Sequence, residues 1–172
     1  ESQYRIIPNA EAVYITMNRI RLRQLAERCE LLTTRYKIAS SFREYDEACR
    51  EIGFPCVSKP SMSSSGRGQR TLRSADDIQM AWDASMSETR GNRDQVILEE
   101  WLEFDYELTI LTVRHSDGIT CCPPIEHRQQ DGDWDVSIQP SPSCTPEVEE
   151  EAIRIARVIV EALGGYGIYG VE

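Results

Sequence analysis

One stretch constrains the fold more than any other. Phe54-Pro55-Cys56-Val57-Ser58-Lys59-Pro60 is a short apolar run closed by proline, which reads as a buried strand. Ser61 to Gln69 is polar and carries two glycines, and Gln69-Arg70-Thr71-Leu72 resumes as a strand. The glycines flank Arg67, and Ser63, Ser64 and Ser65 precede them, so backbone N–H groups and a cation can be offered to phosphate oxygens. This is no Walker loop, because no Gly-Lys-[Ser/Thr] follows four residues after the first glycine. A Rossmann turn would open a helix here, and the run continues as a strand instead. A strand–glycine loop–strand segment is either a flap that folds over a ligand or a plain mobile hairpin.

The rest of the chain mixes helices with hairpins. Thr16 to Cys29 places Met17, Ile20, Leu22, Leu25 and Ala26 at mostly helical spacing, with arginines between them. Ser41 with Glu44 forms a capping box that opens a second helix, and Gly53 ends it. Ser74 with Asp77 caps a third helix running to about Glu88. Gln95 to Glu99 and Tyr106 to Val113 read as strands, and Asp117-Gly118 turns the second into Ile119-Thr120-Cys121-Cys122. Gln129 to Thr145, rich in Asp, Ser and Pro, reads as a long loop. Thr145-Pro146 caps a helix that continues through Val148 to Leu163, Gly164-Gly165 stops it, and Tyr166 to Glu172 begins a strand. This order suggests α+β rather than a doubly wound parallel sheet. The last strand stops in mid-element, as expected of a piece of a longer chain.

Charge narrows the functions. The 172 residues hold 29 Asp+Glu against 19 Lys+Arg, a net −10 with no basic block, which argues against a general nucleic-acid binder. Any phosphate binding therefore needs locally concentrated positive charge. No run approaches the ~20 apolar residues of a membrane span. The first residues show no basic stretch leading into an apolar core, so no signal peptide is expected. The six cysteines are scattered without a CxxC pair, which fits reduced thiols in a cytoplasmic protein better than a disulfide scaffold or a zinc site.

Several side chains are candidates for chemistry. Lys59, on an apolar strand, needs a charged partner such as a phosphate, or else snorkels to the strand end. Glu99-Glu100-Trp101-Leu102 ends a strand with bulky apolar residues, and Glu107 follows eight residues after Glu99. Such carboxylates beside an apolar wall suit an amine, sugar hydroxyls and a planar ring, or form a solvated acidic edge. Glu172, emerging from Gly167-Ile168-Tyr169-Gly170-Val171, suggests a Mg²⁺ ligand. Arg128 is a candidate anion contact, and His127 reads as a local structural hydrogen bonder.

Taken in order, Thr16-Met17-Asn18-Arg19, Phe54 to Pro60, Ser63 to Gln69, Glu99, Phe104-Asp105-Tyr106-Glu107, His127-Arg128-Gln129 and Gly164 to Glu172 resemble the ATP-grasp enzymes. Within them the chain is most similar to the formate-dependent formyltransferases of purine biosynthesis. The resemblance covers nearly the whole chain. It implies ATP held between two mixed α/β subdomains with a glycine-rich flap between strands, truncated here at the C-terminus. Residues 1–30 would be an entry segment, 31–102 the small subdomain with its flap at 61–69, and 103–172 the start of the large one.

The resemblance further implies that Arg19 and Lys59 reach the ATP phosphates, and that Ser64, Ser65, Gly66, Arg67, Gly68 and Gln69 close over them. Glu99, Glu100, Trp101 and Leu102 would hold adenine, Glu107 the ribose, and Glu172 would be the first of two Mg²⁺ glutamates. The implied substrates are formate and glycinamide ribonucleotide, joined through formyl phosphate in a homodimeric, cytoplasmic enzyme that uses neither nucleic acid nor membrane. Arg67 stands where the family more often has lysine, which keeps the charge and changes its shape. With an N-terminal domain and a C-terminal portion missing, the fragment alone is expected to bind nucleotide weakly and to be inactive. Another ATP-grasp carboxylate–amine ligase, or a non-catalytic nucleotide-binding module, are the alternatives.

Overall fold

A computed structural model describes residues 6–64, 66–88, 95–130 and 133–172. The chain divides into two compact units. One comprises Met17–Gln24 and Leu32–Glu103; the other comprises Leu25–Leu31, Phe104–Glu172 and the segment before Met17.

The first unit is built on four antiparallel strands in the order β1 (Tyr36–Ala39), β4 (Val96–Glu100), β2 (Cys56–Pro60), β3 (Arg70–Leu72). Helices α3 (Phe42–Ile52) and α4 (Ile78–Ser87) pack on one face of this sheet. Side chains alternate along a strand. Cys56 of β2 with Val96 and Leu98 of β4 therefore share a core with Tyr45, Ala48, Cys49, Ile78 and Ala81. Removing a Val or Leu side chain of this kind from water stabilises the fold by about 1.5–3 kcal/mol. The alternate residues Val57, Lys59, Ile97 and Glu99 face the other way, and that face carries the candidate site.

Local signals set the helix ends. Ser41 accepts the Glu44 N–H at 3.3 Å, whereas the Glu44 carboxylate takes the N–H of Ser40 rather than that of Ser41. Gly53 closes α3 at φ +88°, where a side chain would be strained. The Ser74–Asp77 capping box is complete, over a single 3₁₀ turn that leads into α4.

The second unit centres on the nine-residue strand β5 (Glu107–His115). It pairs antiparallel with β6 (Gly118–Cys121), with β7 (Ile125–Gln130) and with β9 (Gly167–Val171), while β8 (Asp133–Ile138) continues outward from β7. Helix α5 (Pro146–Leu163) lies against β5; Thr145 caps it by accepting the Val148 N–H, and Pro146 occupies its first turn. All described strand pairs are antiparallel, as an α+β chain requires.

Besides the Ser41–Glu44 capping box, which lacks its return bond, two sequence expectations fail. Thr16 to Cys29 is not one helix: α1 (Ala10–Thr16) ends at Thr16, and α2 (Arg19–Arg28) starts afresh. Asn18 causes the break, because its side-chain oxygen accepts the Arg21 N–H at 3.2 Å and caps the new helix. Asn9 caps α1 in the same way through the Ala12 N–H at 2.8 Å. Nor is Gln129 to Thr145 one loop, since β8 pairs with β7 through a bulge at Arg128/Gln129. Within β8 Trp134, Val136 and Ile138 alternate with Asp133, Asp135 and Ser137, a strand period that the surrounding Asp-, Ser- and Pro-rich composition hides. Among the described residues no helix is long and apolar enough to cross a membrane.

Candidate functional site

In the first unit the polar face of the sheet gathers four charged groups. The register sets Val57 opposite Glu99 and Lys59 opposite Ile97, so Lys59 and Glu99 are diagonal neighbours on one face. Lys59 Nζ donates to Glu99 Oε2 at 2.5 Å, and Arg23 Nε donates to Glu99 Oε1 at 2.5 Å. Arg23 also donates to Thr33 Oγ1 at 3.0 Å. Burial alone would raise the Glu99 carboxyl, yet the bonds and charges of Arg23 and Lys59 outweigh it and hold the group below its ordinary value. Lys59 thus has its charged partner within the chain.

Arg19 completes the cluster from one turn earlier on α2. Its guanidinium donates to Pro60 O at 3.1 Å, to Ser63 Oγ at 3.0 Å and to Ser63 O at 3.4 Å, and its own N–H donates to Ser61 O at 2.9 Å. Burial lowers the Arg19 pKa, partly offset by the Glu99 charge. Within this group three cations surround a single carboxylate. The positive surplus is the local concentration that an acidic chain needs if it is to hold phosphate.

The glycine loop stands at the end of the same strand. Arg67 N–H donates to Ser64 O at 3.2 Å and Gln69 N–H donates to Gly66 O at 3.0 Å. Gly66 and Gly68 have φ of +63° and +70°. Gly66 to Gln69 is therefore a type II turn with Arg67 exposed at its second position and Gly68 at the third, where a positive φ is required. Gly68 is wedged: a Cβ there would meet Pro60 Cγ at 2.7 Å and Glu88 Cβ at 2.9 Å. The loop is thus pinned at its entry by Arg19 and at its exit against α4. Ser65 lies outside the described residues.

The expected adenine segment follows β4. Glu100 is turned to the opposite side from Glu99 and is held by Arg35, whose Nε and backbone N–H donate at 2.8 and 2.7 Å. Those bonds lower its pKa. Trp101 and Leu102 are half exposed, an apolar pair beyond the strand end.

The second unit carries Glu107 and Glu172. Glu107 opens β5 opposite His127. Val171 pairs with Ile110, so Glu172, one residue on, falls beside Thr109, two positions from Glu107 along β5. His127 is buried, with Nδ1 2.8 Å from Ser137 Oγ and Nε2 2.8 Å from Thr109 Oγ1, a structural hydrogen bonder as expected. Arg128 is exposed and lies 3.9 Å from Glu126. Among the described residues no group of three or more His, Cys, Asp or Glu converges to hold an ion unaided.

Two residues escaped sequence reading. Arg23 carries a signal in hindsight: once Asn18 caps the helix, Arg19 and Arg23 sit at i and i+4 on one face. Ser85, fully buried on α4, carries none.

Residues 24–172 match the ATP-grasp domain model, and the chain belongs to the ATP-grasp family. It is 52% identical, over 98% of its length, to the formate-dependent phosphoribosylglycinamide formyltransferase of Syntrophotalea carbinolica, and covers 43% of that protein. The enzymes of the same name from Pseudomonas fluorescens Pf0-1 and Methanococcus maripaludis are each 48% identical over 98% of the chain, which covers 43% and 44% of them. The chain thus spans less than half the length of these relatives. Among solved structures, carboxyaminoimidazole ribonucleotide synthase from Aspergillus clavatus complexed with ATP superposes with TM-score 0.86 at 22% identity, over 95% of this chain and 42% of that one. N5-carboxyaminoimidazole synthetase from Staphylococcus aureus complexed with ADP gives 0.85 at 17%, over 98% and 43%. At such identities they show the shared fold alone.

Proposed function

We propose that this chain is the nucleotide-gripping part of an ATP- and Mg²⁺-dependent ligase that joins formate to the amine of glycinamide ribonucleotide. One observation carries the reading: Lys59, Arg23 and Arg19 cluster about the single carboxylate of Glu99, and Arg19 also holds the entry of the glycine turn, so positive charge is in surplus beside it. Relatives at about 50% identity bear the name of that activity.

In this reading Lys59, Arg19 and Arg67 take the phosphates, and the backbone and hydroxyls of Ser64, Ser65 and Gly66 to Gln69 close over them. Glu99 to Leu102 line adenine, with Trp101 and Leu102 as its apolar flank, and Glu107 takes the ribose. Residues 31–102 form the small subdomain and 103–172 the start of the large one. The Glu99 carboxylate reaches the base by releasing Lys59, which the phosphates then take up. A formate oxygen attacks the γ-phosphorus and ADP departs; the amine then attacks the carbonyl carbon of formyl phosphate and phosphate departs. Phosphoryl transfer asks the protein chiefly for cations and N–H groups placed around the γ-phosphate. Closing the turn over it excludes water, to which formyl phosphate is vulnerable.

A Mg²⁺ ion commonly uses one or two carboxylates together with phosphate oxygens. Glu172, exposed at the end of β9, fits as one such ligand, and the ion would supply charge neutralisation on the phosphates. The same reading makes the whole enzyme a cytoplasmic homodimer of small-molecule chemistry, without nucleic acid or membrane.

The test is release of phosphate from ATP by the protein carrying this chain at its natural length. Release should require formate and be accompanied by formylation of glycinamide ribonucleotide. Release driven by another carboxylate, with formate inert, would assign a different carboxylate–amine ligase. Absence of any thermal stabilisation by ATP with Mg²⁺ would overturn nucleotide binding itself.

A further inference from the structure

We infer that Ser85, on α4, is a positioning residue that holds the Gly66–Gln69 turn in the shape that presents Arg67 to phosphate. The inference rests on the nucleotide-binding reading above for what the turn grips, but the anchor is visible without it. Ser85 is fully buried, and its hydroxyl donates to Gly68 O at 2.9 Å. Ser58 Oγ, equally buried on β2, lies 2.9 Å from Ser85 Oγ. With the Ser85 proton given to Gly68, the Ser58 hydroxyl is the donor of that second bond. The chain of bonds runs in one direction, from the core strand through the helix to the loop carbonyl.

Its consequence follows from peptide geometry. The Gly68–Gln69 peptide is planar and trans, so its C=O and N–H point in opposite directions. Directing the carbonyl inward onto Ser85 directs the Gln69 N–H back across the turn, where it meets Gly66 O at 3.0 Å. The inner bond thereby sets the outer one, and the outer one closes the turn that carries Arg67. Packing reinforces the hold, because Pro60 and the last turn of α4 leave no room for a Cβ at Gly68. A helix that touches no nucleotide in the proposed reading thus determines where the tip of the phosphate loop stands.

Ser85→Ala removes the donor and lets the Gly68 carbonyl swing to water. One net hydrogen bond corresponds to a roughly fivefold to tenfold change in an opening equilibrium. Trypsin cleavage of the Arg67–Gly68 bond, followed by mass spectrometry in the absence of nucleotide, should therefore accelerate about fivefold to tenfold in S85A. Ser58→Ala, which leaves the Ser85 donor in place, should leave that rate within about twofold of wild type. Equal cleavage of S85A and wild type, or equal acceleration by S58A, overturns the inference.

Calorimetric titration with ATP and Mg²⁺ on the protein at its natural length separates the two readings. Weaker binding by S85A supports the whole proposal. Faster cleavage with unchanged affinity keeps the anchor and overturns the grip on phosphate. Should S85A fail to fold, hydrogen exchange of the wild-type Gln69 amide decides: protection comparable to the β2 amides supports a pinned turn, and exchange at the rate of an open loop overturns it.

Discussion

Lys59 and Glu99 meet across neighbouring antiparallel strands, Nζ to Oε2 at 2.5 Å, with the carboxylate almost wholly out of solvent. A phosphate that takes Lys59 must therefore draw it from a partner that Arg23 still holds. Lys59→Ala leaves Glu99 paired with Arg23, so the fold should survive and the nucleotide should suffer. Loss of a charge-assisted hydrogen bond corresponds to a roughly tenfold to hundredfold rise in the dissociation constant for ATP with Mg²⁺. Calorimetric titration, set beside a nucleotide-free melting temperature lowered by only a few degrees, checks this. A collapse of nucleotide-free stability would make Lys59 structural.

Glu99→Gln has the opposite signature. It removes the one carboxylate among Arg19, Arg23 and Lys59, and uncompensated, partly buried cations should cost about 2–4 kcal/mol. Because the folded-state pKa of Glu99 is depressed, its contribution is present above the unfolded carboxylate value near about 4.3 and is lost as pH falls through the folded value. Stability measured by denaturant titration should decline on acidification below that range in the wild type. The decline should be shallower in Glu99→Gln, and identical slopes would contradict the assignment.

The two loop glycines separate strain from sterics. At Gly66 a Cβ meets nothing within 4 Å, so Gly66→Ala carries only the left-handed backbone cost of about 1–2 kcal/mol. At Gly68 the same cost is joined by contacts of 2.7 and 2.9 Å, and overpacking adds roughly 1–3 kcal/mol. Denaturant unfolding should rank Gly68→Ala clearly below Gly66→Ala.

Much of this was legible from the chain because the decisive signals are local. Ser74 with Asp77, Thr145 with Pro146 and Gly53 write their caps into the sequence, and the alternation around Lys59 and Glu99 follows from strand period alone. The two misread elements are equally local in origin. Asn18 restarts a helix that hydrophobic spacing would run straight through, and with that restart Arg23 takes its place facing Glu99. Strand β8 goes unseen because Trp134, Val136 and Ile138 alternate within a longer stretch whose Asp, Ser and Pro content reads as loop, although Asp131-Gly132 is a dipeptide of hairpin type. The partner of Lys59 and the anchor of Gly68 are 40 and 17 residues away along the chain. Contacts set by tertiary register have no signature in a window of neighbouring residues.

Arg67 is the exposed cation of the glycine turn, and its place there defines what a change of side chain would alter. It occupies the second position of a type II turn, exposed, with Gly68 fixing the backbone behind it. At such a position the side chain adds charge without supporting the fold, so Arg67→Ala should leave the melting temperature unchanged. Affinity for ATP should fall by about fivefold to fiftyfold, the range of a hydrogen bond to a charged group exposed to solvent. Arg67→Lys keeps the charge and gives up the planar fork, so it should recover most of that affinity at low salt. The recovery should shrink as salt is raised, because a single ammonium acts as a point charge that ions screen. Titrations of the three forms at low and high ionic strength test this: full equivalence of lysine and arginine at high salt would show that the guanidinium fork contributes nothing to the grip.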